Sequence, residues 1–285
     1  MSDTETSRDV VMITGASTGI GRATALHLAR RGLRVLAGVR KASDGEALVA
    51  AGGEQVEPLV IDVAEQDSIA TATAELGERL GGAPLRGLVN NAGVAIGGPQ
   101  ELIPLSDWRR QLEVNVFGLV DTTQKVLPHL LRSRGRVVNI GSIGGRVATP
   151  LMAPYGASKF AVEAITAALR MELRSQGLWA ACVEPGAVKT EIWNKGEAQI
   201  HKLNDELPAE AMQRYQHLND GMARFTERGR SQGVEPIAVA RAVEHALLAK
   251  RPRTRYLVGA DARILATLRW LLPDRALEWL LLRMM

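Results

Sequence analysis

Short, continuous apolar runs alternate along the chain with longer stretches in which apolar residues recur every three or four positions. The short runs, 9–13, 34–39, 56–61, 87–89, 136–140, 179–183 and 256–258, are rich in Val, Ile and Leu and scarcely alternate with polar residues. That pattern predicts strands covered on both faces. The longer stretches, 20–31, 41–51, 66–80, 105–132, 154–176 and 236–250, read as helices. Strands and helices alternating at this spacing predict right-handed βαβ units and a parallel sheet. The expected fold class is α/β: one doubly wound domain over residues 1–285 with a parallel seven-stranded sheet, uninterrupted by any Pro- or Ser-rich linker before about residue 190.

Two segments fall outside this alternation. Residues 191–232 are polar, helical in pattern and free of strand signals. They begin just past a strand's C-terminal end, where ligands bind in open α/β sheets, so they read as a substrate lid or a surface insertion. Residues 262–285 hold Trp270, Trp279, many Leu, and Arg263, Arg269, Arg275 and Arg283. They are expected to form amphipathic helices packing on the body or on a partner subunit, with contact to a membrane surface as the alternative.

Composition narrows the function classes. The chain is 46% hydrophobic and 23% charged, which excludes a disordered chain, and its 28 Gly carry no collagen-like period. No apolar run approaches the ~18 residues of a membrane span. The one cysteine, Cys182, excludes an internal disulfide, and the polar start 1–8 lacks an apolar signal region, so the expected compartment is cytoplasmic. The formal charge of +4 is spread over interleaved basic and acidic residues, so no nucleic-acid partner is expected. There is no HExxH and no paired CxxC, so no metal is expected.

Four sequence features carry chemistry. Thr14-Gly15-Ala16-Ser17-Thr18-Gly19-Ile20-Gly21 follows a predicted strand and opens a predicted helix. Its glycines permit a tight turn, and backbone N–H groups at a helix N-terminus form a site for a pyrophosphate. The second strand ends in Val39-Arg40-Lys41, where an acidic residue would bind a ribose 2′-hydroxyl. Two cations there suit a 2′-phosphate, so NADP(H) is preferred, with NAD(H) possible. Tyr155 and Lys159 are spaced to share a helix face, and a nearby cation is expected to lower a phenol's pKa. Ser142 and Asn90-Asn91-Ala92-Gly93 end predicted strands at the same sheet edge, and Asn115 lies mid-helix, an unfavourable place for Asn without a task.

Together these pieces resemble the short-chain dehydrogenase/reductase family in its single-domain, Rossmann-type branch. The matching residues run from Thr14–Gly21 through Asp62, Asn90–Gly93, Asn115, Ser142, Tyr155-x-x-x-Lys159 and Pro185-Gly186 to Thr190, in order. The resemblance implies a catalytic tetrad of Asn115, Ser142, Tyr155 and Lys159. It further implies a dinucleotide held by Gly15, Ser17, Thr18, Gly19, Ile20, Gly21, Arg40 and Lys41. Asp62 and Val63 are implied near the adenine, and Asn91, Ala92 and Gly93 along the cofactor. Pro185, Gly186, Val188 and Thr190 are implied near the nicotinamide, with Tyr155 and Lys159 also touching the cofactor.

The pattern is similar to the 17β-hydroxysteroid and retinol dehydrogenase branch, which acts on bulky apolar alcohols and ketones. Ser142 and Tyr155, with the apolar Val147, Leu151, Met152, Ile192 and Trp193, are the expected substrate residues. The resemblance also implies a homo-oligomer, dimer or tetramer, paired through the two long predicted helices. The rival readings are a cofactor-binding regulator without turnover, a sugar-nucleotide epimerase or dehydratase, and a fatty-acyl or quinone reductase.

Overall fold

The computed structural model describes residues 9–191 and 209–284. Seven strands form one sheet in the order β3-β2-β1-β4-β5-β6-β7, every neighbouring pair parallel. They are β1 Val10–Ile13, β2 Arg34–Val39, β3 Val56–Val60, β4 Leu85–Asn90, β5 Arg136–Ile140, β6 Trp179–Pro185 and β7 Arg255–Val258. The expected α/β fold is thus the observed one. Successive strand residues point to opposite faces, and both faces are dry. Val11 and Ile13 pack in one core cluster and Val10 and Met12 in another, all fully buried. Continuous apolar runs, rather than alternating ones, follow directly from that two-sided cover.

Helices fill the connections: α1 Gly19–Arg30, α2 Ala42–Gly52, α3 Gln66–Ala74, α4 Leu76–Leu80, α5 Leu105–Leu112, α6 Gly118–Ser133 and α7 Ala153–Leu173. After β6 come α8 Ala209–Gln232 and α9 Pro236–Leu248, and after β7 come α10 Ala260–Leu271 and α11 Asp274–Met284. Two predicted helices are subdivided. The stretch 66–80 breaks between α3 and α4, and the stretch 105–132 carries a π-helical turn, Glu113–Phe117, between α5 and α6. The tail is two helices because Pro273 disfavours helical backbone at Leu272 and lacks the N–H the next turn needs. The strand order reverses between β1 and β4, and the crevice at their C-terminal ends is where such sheets bind ligands.

The tail lies against the body. Leu277 and Leu281 of α11 and Leu265 and Leu268 of α10 pack with Ile143 and Val147, just beyond β5. The opposite side of these helices is bare, with Trp270 84% exposed and Trp279 stacked under the Arg283 guanidinium.

Candidate active site

The loop from β1 to α1 turns on Gly15, whose φ of +65° disfavours any residue with a Cβ. A Cβ there would also stand 2.7 Å from the Ala92 Cα, so the loops after β1 and β4 touch. Asn91 clamps that contact. Its Nδ2 donates to Thr14 O at 3.0 Å and Gly15 O at 2.8 Å. Thr14 Oγ1 in turn accepts from the backbone N–H groups of Asn91 and Ala92, both at 3.1 Å. Asn91 and Ala92 therefore brace the glycine loop, and Gly93 remains exposed beside them.

The start of α1 fits an anion. Four N–H groups at a helix start have no intrahelical partner. Thr18 supplies no side-chain cap to them, and the first turn contains no acidic residue. The helix dipole and these donors favour a phosphate next to Ser17, Thr18, Gly19 and Ile20. Gly21 lets α1 start directly on the loop, since a Cβ there would overlap Gly15 O and Asn91 Nδ2. Arg40 follows β2 directly, and both it and Lys41 are exposed. Asp62 is held in its own turn after β3: Oδ1 accepts from Ala64 N–H at 3.0 Å, and its N–H donates to Ser68 Oγ at 2.9 Å. Val63 beside it is buried.

The segment after β6 runs back to the same crevice. Pro185 ends the strand, and Ala187 N–H donates to Asp261 Oδ2 of α10 at 2.6 Å. Val188 bridges to Val234, and the Thr190 methyl lies beside Gly19. Asp261 thus holds Gly186 and its neighbours in place, a role no local motif signals.

Ser142 opens a single tight turn after β5, its Oγ accepting from Gly144 N–H at 3.1 Å. The Ser142 hydroxyl lies beside the Tyr155 ring in the first turn of α7: a Cβ on Gly144 would stand 3.5 Å from Ser142 Oγ and 3.3 Å from Tyr155 Cε1. Burial pushes the Tyr155 phenol above its ordinary value of 10, and the Ser142 hydroxyl pulls the other way. Lys159, one turn along, is buried. Its Nζ donates to Ile140 O at 2.8 Å and stands 5.7 Å from the Tyr155 ring centre. Burial lowers Lys159 to about 8, against the opposing pull of Cys182 and Glu163. The sequence led us to expect Lys159 to depress the phenol. Here burial, opposed by the Ser142 hydroxyl, sets the direction of the phenol's shift, and the Lys159 ammonium donates to a carbonyl at the end of β5.

Asn115 lies in the π-helical turn, 2% exposed. Its Oδ1 accepts from Val94 N–H at 2.9 Å, and its Nδ2 donates to Val94 O and Ser158 Oγ, both at 3.0 Å. π-helical turns tend to occur at functional sites because the extra residue re-aims a side chain. Two residues the sequence reading missed complete this network. Gln111, fully buried, accepts from Ile96 N–H at 2.7 Å and donates to Val94 O at 2.8 Å. Ser158 donates to Tyr155 O at 2.7 Å, which joins Asn115 to the Tyr155 turn. Only the Tyr155-x-x-Ser158 spacing signals that link. Ser158→Ala leaves the Asn115 amide one acceptor short, so a loss of about 1–3 kcal/mol in chemical denaturation is expected, with reduced turnover.

The expected substrate residues do not all share one setting. Met152 lies against the loop after β4, its Sδ 3.0 Å from where a Cβ on Gly97 would lie. Leu151 is buried and adopts φ of +62°, a strained value for a branched side chain. Its carbonyl accepts from Gly98 N–H at 2.7 Å, which ties the loop after β5 to the loop after β4. Val147 packs beneath the tail helices. Ile192 and Trp193 lie outside the described residues.

The family model for short chain dehydrogenases matches residues 9–201. The chain belongs to the short-chain dehydrogenase/reductase family. It is therefore an oxidoreductase of CH–OH groups that works on small molecules with a nicotinamide cofactor. It is 35% identical over 272 residues to an NADPH-dependent 3-dehydrocapnine reductase of Ornithobacterium rhinotracheale, covering 94% of each chain. It is 35% identical over 278 residues to retinol dehydrogenase 16 of Mus musculus, covering 94% of this chain and 87% of that one. Among solved structures, a short-chain dehydrogenase of Burkholderia cenocepacia J2315 in complex with NADP superposes with a TM-score of 0.73 at 27% identity, covering 96% and 97% of the two chains.

Proposed function

We propose that the chain interconverts an apolar ketone and its alcohol with NADP(H), preferring NADPH, with Tyr155 as the general acid and base. The observation that carries this reading is the meeting of Ser142, Tyr155 and Lys159 at the sheet edge that also presents the uncapped start of α1. In this reading the loop 15–21 holds the pyrophosphate, Arg40 and Lys41 the 2′-phosphate, and Asp62 and Val63 the adenine. Asn91, Ala92 and Gly93 border the cofactor, while Pro185, Gly186, Val188 and Thr190 adjoin the nicotinamide. When bound, the nicotinamide supplies or accepts the hydride.

The protein's own groups handle the proton. A phenol raised by burial stays protonated at neutral pH, which suits it to give a proton to a carbonyl oxygen. Ser142 donates a hydrogen bond to that same oxygen and stabilises the charge that develops there. Lys159 places its ammonium beside the phenol and is suited to the ribose hydroxyls. Asn115, pinned by Val94 and Ser158, is proposed to hold a water that connects Lys159 with solvent.

Apolar character of the substrate is supported by the apolar Leu151 and Met152 of the loop after β5, which packs on the loop after β4, and by the similarity to retinol dehydrogenase 16. We propose α8, the described part of the expected lid, as its cover. Arg214 Nη1 and Tyr215 Oη donate to Glu101 Oε1 at 2.8 and 2.9 Å, which ties α8 to the loop after β4. Exposed Phe117, at the end of the π-helical turn that leads into α6, and Phe160 and Met171 of α7 support homo-oligomers paired through α6 and α7. A cytoplasmic location remains the proposal, and no described helix is long and apolar enough to cross a membrane.

The test is NADPH consumption with a panel of ketones graded from small polar to bulky apolar. Turnover rising with apolar bulk is expected. No turnover with any member, despite NADPH binding, would favour a regulator.

A further inference from the structure

Behind Lys159, away from Asn115, lies a buried charged cluster that the reading above leaves without a task. Glu163 follows Lys159 by one turn of α7, and Cys182 and Glu184 share one face of β6. Ligand-type atoms of Glu163, Cys182 and Glu184 all lie within 4.8 Å of one another. Arg255, paired in register with Cys182 on β7, sends Nε to Glu163 Oε2 at 2.9 Å and to Glu184 Oε1 at 3.3 Å. Arg146 Nε stands 3.6 Å from Glu184 Oε2. Arg170 on α7 completes the surrounding charges, its Nη1 donating to Ala180 O.

The cluster reaches the reacting groups by two routes. Arg146 ends the turn that Ser142 opens. Gly141, which precedes Ser142, has no room for a side chain: a Cβ would lie 2.6 Å from Cys182 Sγ and 3.2 Å from Glu163 Oε1. Glu184 itself is fully buried, whereas both guanidiniums are partly exposed. A buried carboxylate requires pairing. Neither Glu184 oxygen has a close hydrogen bond by geometry among the described residues, so the two guanidiniums are its cationic partners, with the Glu163 carboxyl as an acidic neighbour.

We infer that Glu184 is a positioning residue, whose carboxylate anchors Arg146 and, through Arg255 and Glu163, locks the Ser142 turn against the helix that carries Tyr155 and Lys159. This rests on the reading of Ser142, Tyr155 and Lys159 as the reacting groups. The anchor works only while the carboxylate is charged. Burial first, then the Glu163 charge, push Glu184 upward to about 7, and Arg146 and Arg255 oppose the rise. The anchor is therefore strongest on the alkaline side of neutrality and weakens as the medium becomes acidic. The linkage to stability has the opposite sense. A carboxyl raised from 4.5 to about 7 keeps a proton in the folded state that the unfolded chain releases, so stability falls as pH rises across that interval.

Glu184→Gln keeps the shape and removes the charge. The expected result is a kcat lower by about 10-fold, within the ~10²-fold that a 1 Å misplacement can cost, with KM for NADPH unchanged. The pH–kcat profile should lose an inflection near neutrality, and the fall in stability between pH 4.5 and 7 should flatten. Arg146→Ala, at a half-exposed site, tests the same link if Glu184→Gln fails to fold. It should lower kcat similarly, and the double variant should be no worse than the poorer single one. Wild-type kcat and pH profile in Glu184→Gln, or in Arg146→Ala if the former does not fold, would overturn the inference, as would additive losses. Tyr155→Phe run alongside separates the two levels. If it retains turnover, the assignment of the reacting groups fails. If it is inactive while Glu184→Gln behaves as wild type, only the positioning role fails.

Discussion

Replacing Tyr155 with Phe is expected to lower kcat by about 10²–10⁴-fold, the span that general acid–base groups contribute. The substitution removes one oxygen from a ring that is already partly buried, so the fold and the surrounding packing stay in place. Most of the groups proposed to hold the dinucleotide, at the start of α1 and in the loops after β2 and β3, lie on elements other than the one that carries the phenol. NADPH titration by fluorescence should therefore give a Kd close to that of the wild type. Ser142 retains its hydrogen bond from Gly144 N–H, so its position does not depend on the phenol. Loss of NADPH binding together with turnover would point to a structural role for Tyr155. Turnover at the wild-type rate would mean that another group delivers the proton.

Arg40→Asp is expected to lower the NADPH-to-NADH ratio of kcat/KM by about 10²-fold. A hydrogen bond to a charged group is worth roughly 1.5–3 kcal/mol, and a carboxylate in its place adds repulsion toward a 2′-phosphate. Arg40 is exposed, immediately past β2, so the exchange disturbs no core packing. Lys41 remains, which leaves some attraction for the phosphate. Because the site is open to solvent, the wild-type preference should also weaken as salt is added. Initial rates with both cofactors at two ionic strengths measure this. An unchanged ratio would show that the 2′-position is read elsewhere.

The legible features share a cause: each rests on neighbours close in the chain. The seven strands announce themselves because parallel strands covered on both faces need unbroken apolar runs. The glycine loop, the Tyr155–Lys159 pair and the Arg40–Lys41 pair are short local spacings, and their placement at strand ends follows from the βα alternation. Boundaries were less legible. The break between α3 and α4 falls inside a stretch whose pattern is compatible with one helix, and the π-helical turn at Glu113–Phe117 has no local sign.

Residues distant in sequence meet only in the folded chain, and there the sequence is silent. Gln111 and Asn115 become a network because Val94 and Ser158 are brought to them from other elements. Lys159 gives its hydrogen bond to Ile140 O, which no spacing foretells, and burial, a property of the folded chain, governs the Tyr155 phenol. Asp261, far along the chain, holds the backbone after β6. The covalent order of residues by itself determined the α/β fold, the family and which side chains face one sheet edge, because periodicity and spacing are properties of the chain. Only the tertiary structure decided how those side chains are charged and held, because desolvation and ion pairing depend on every group within a few ångströms, whatever its number.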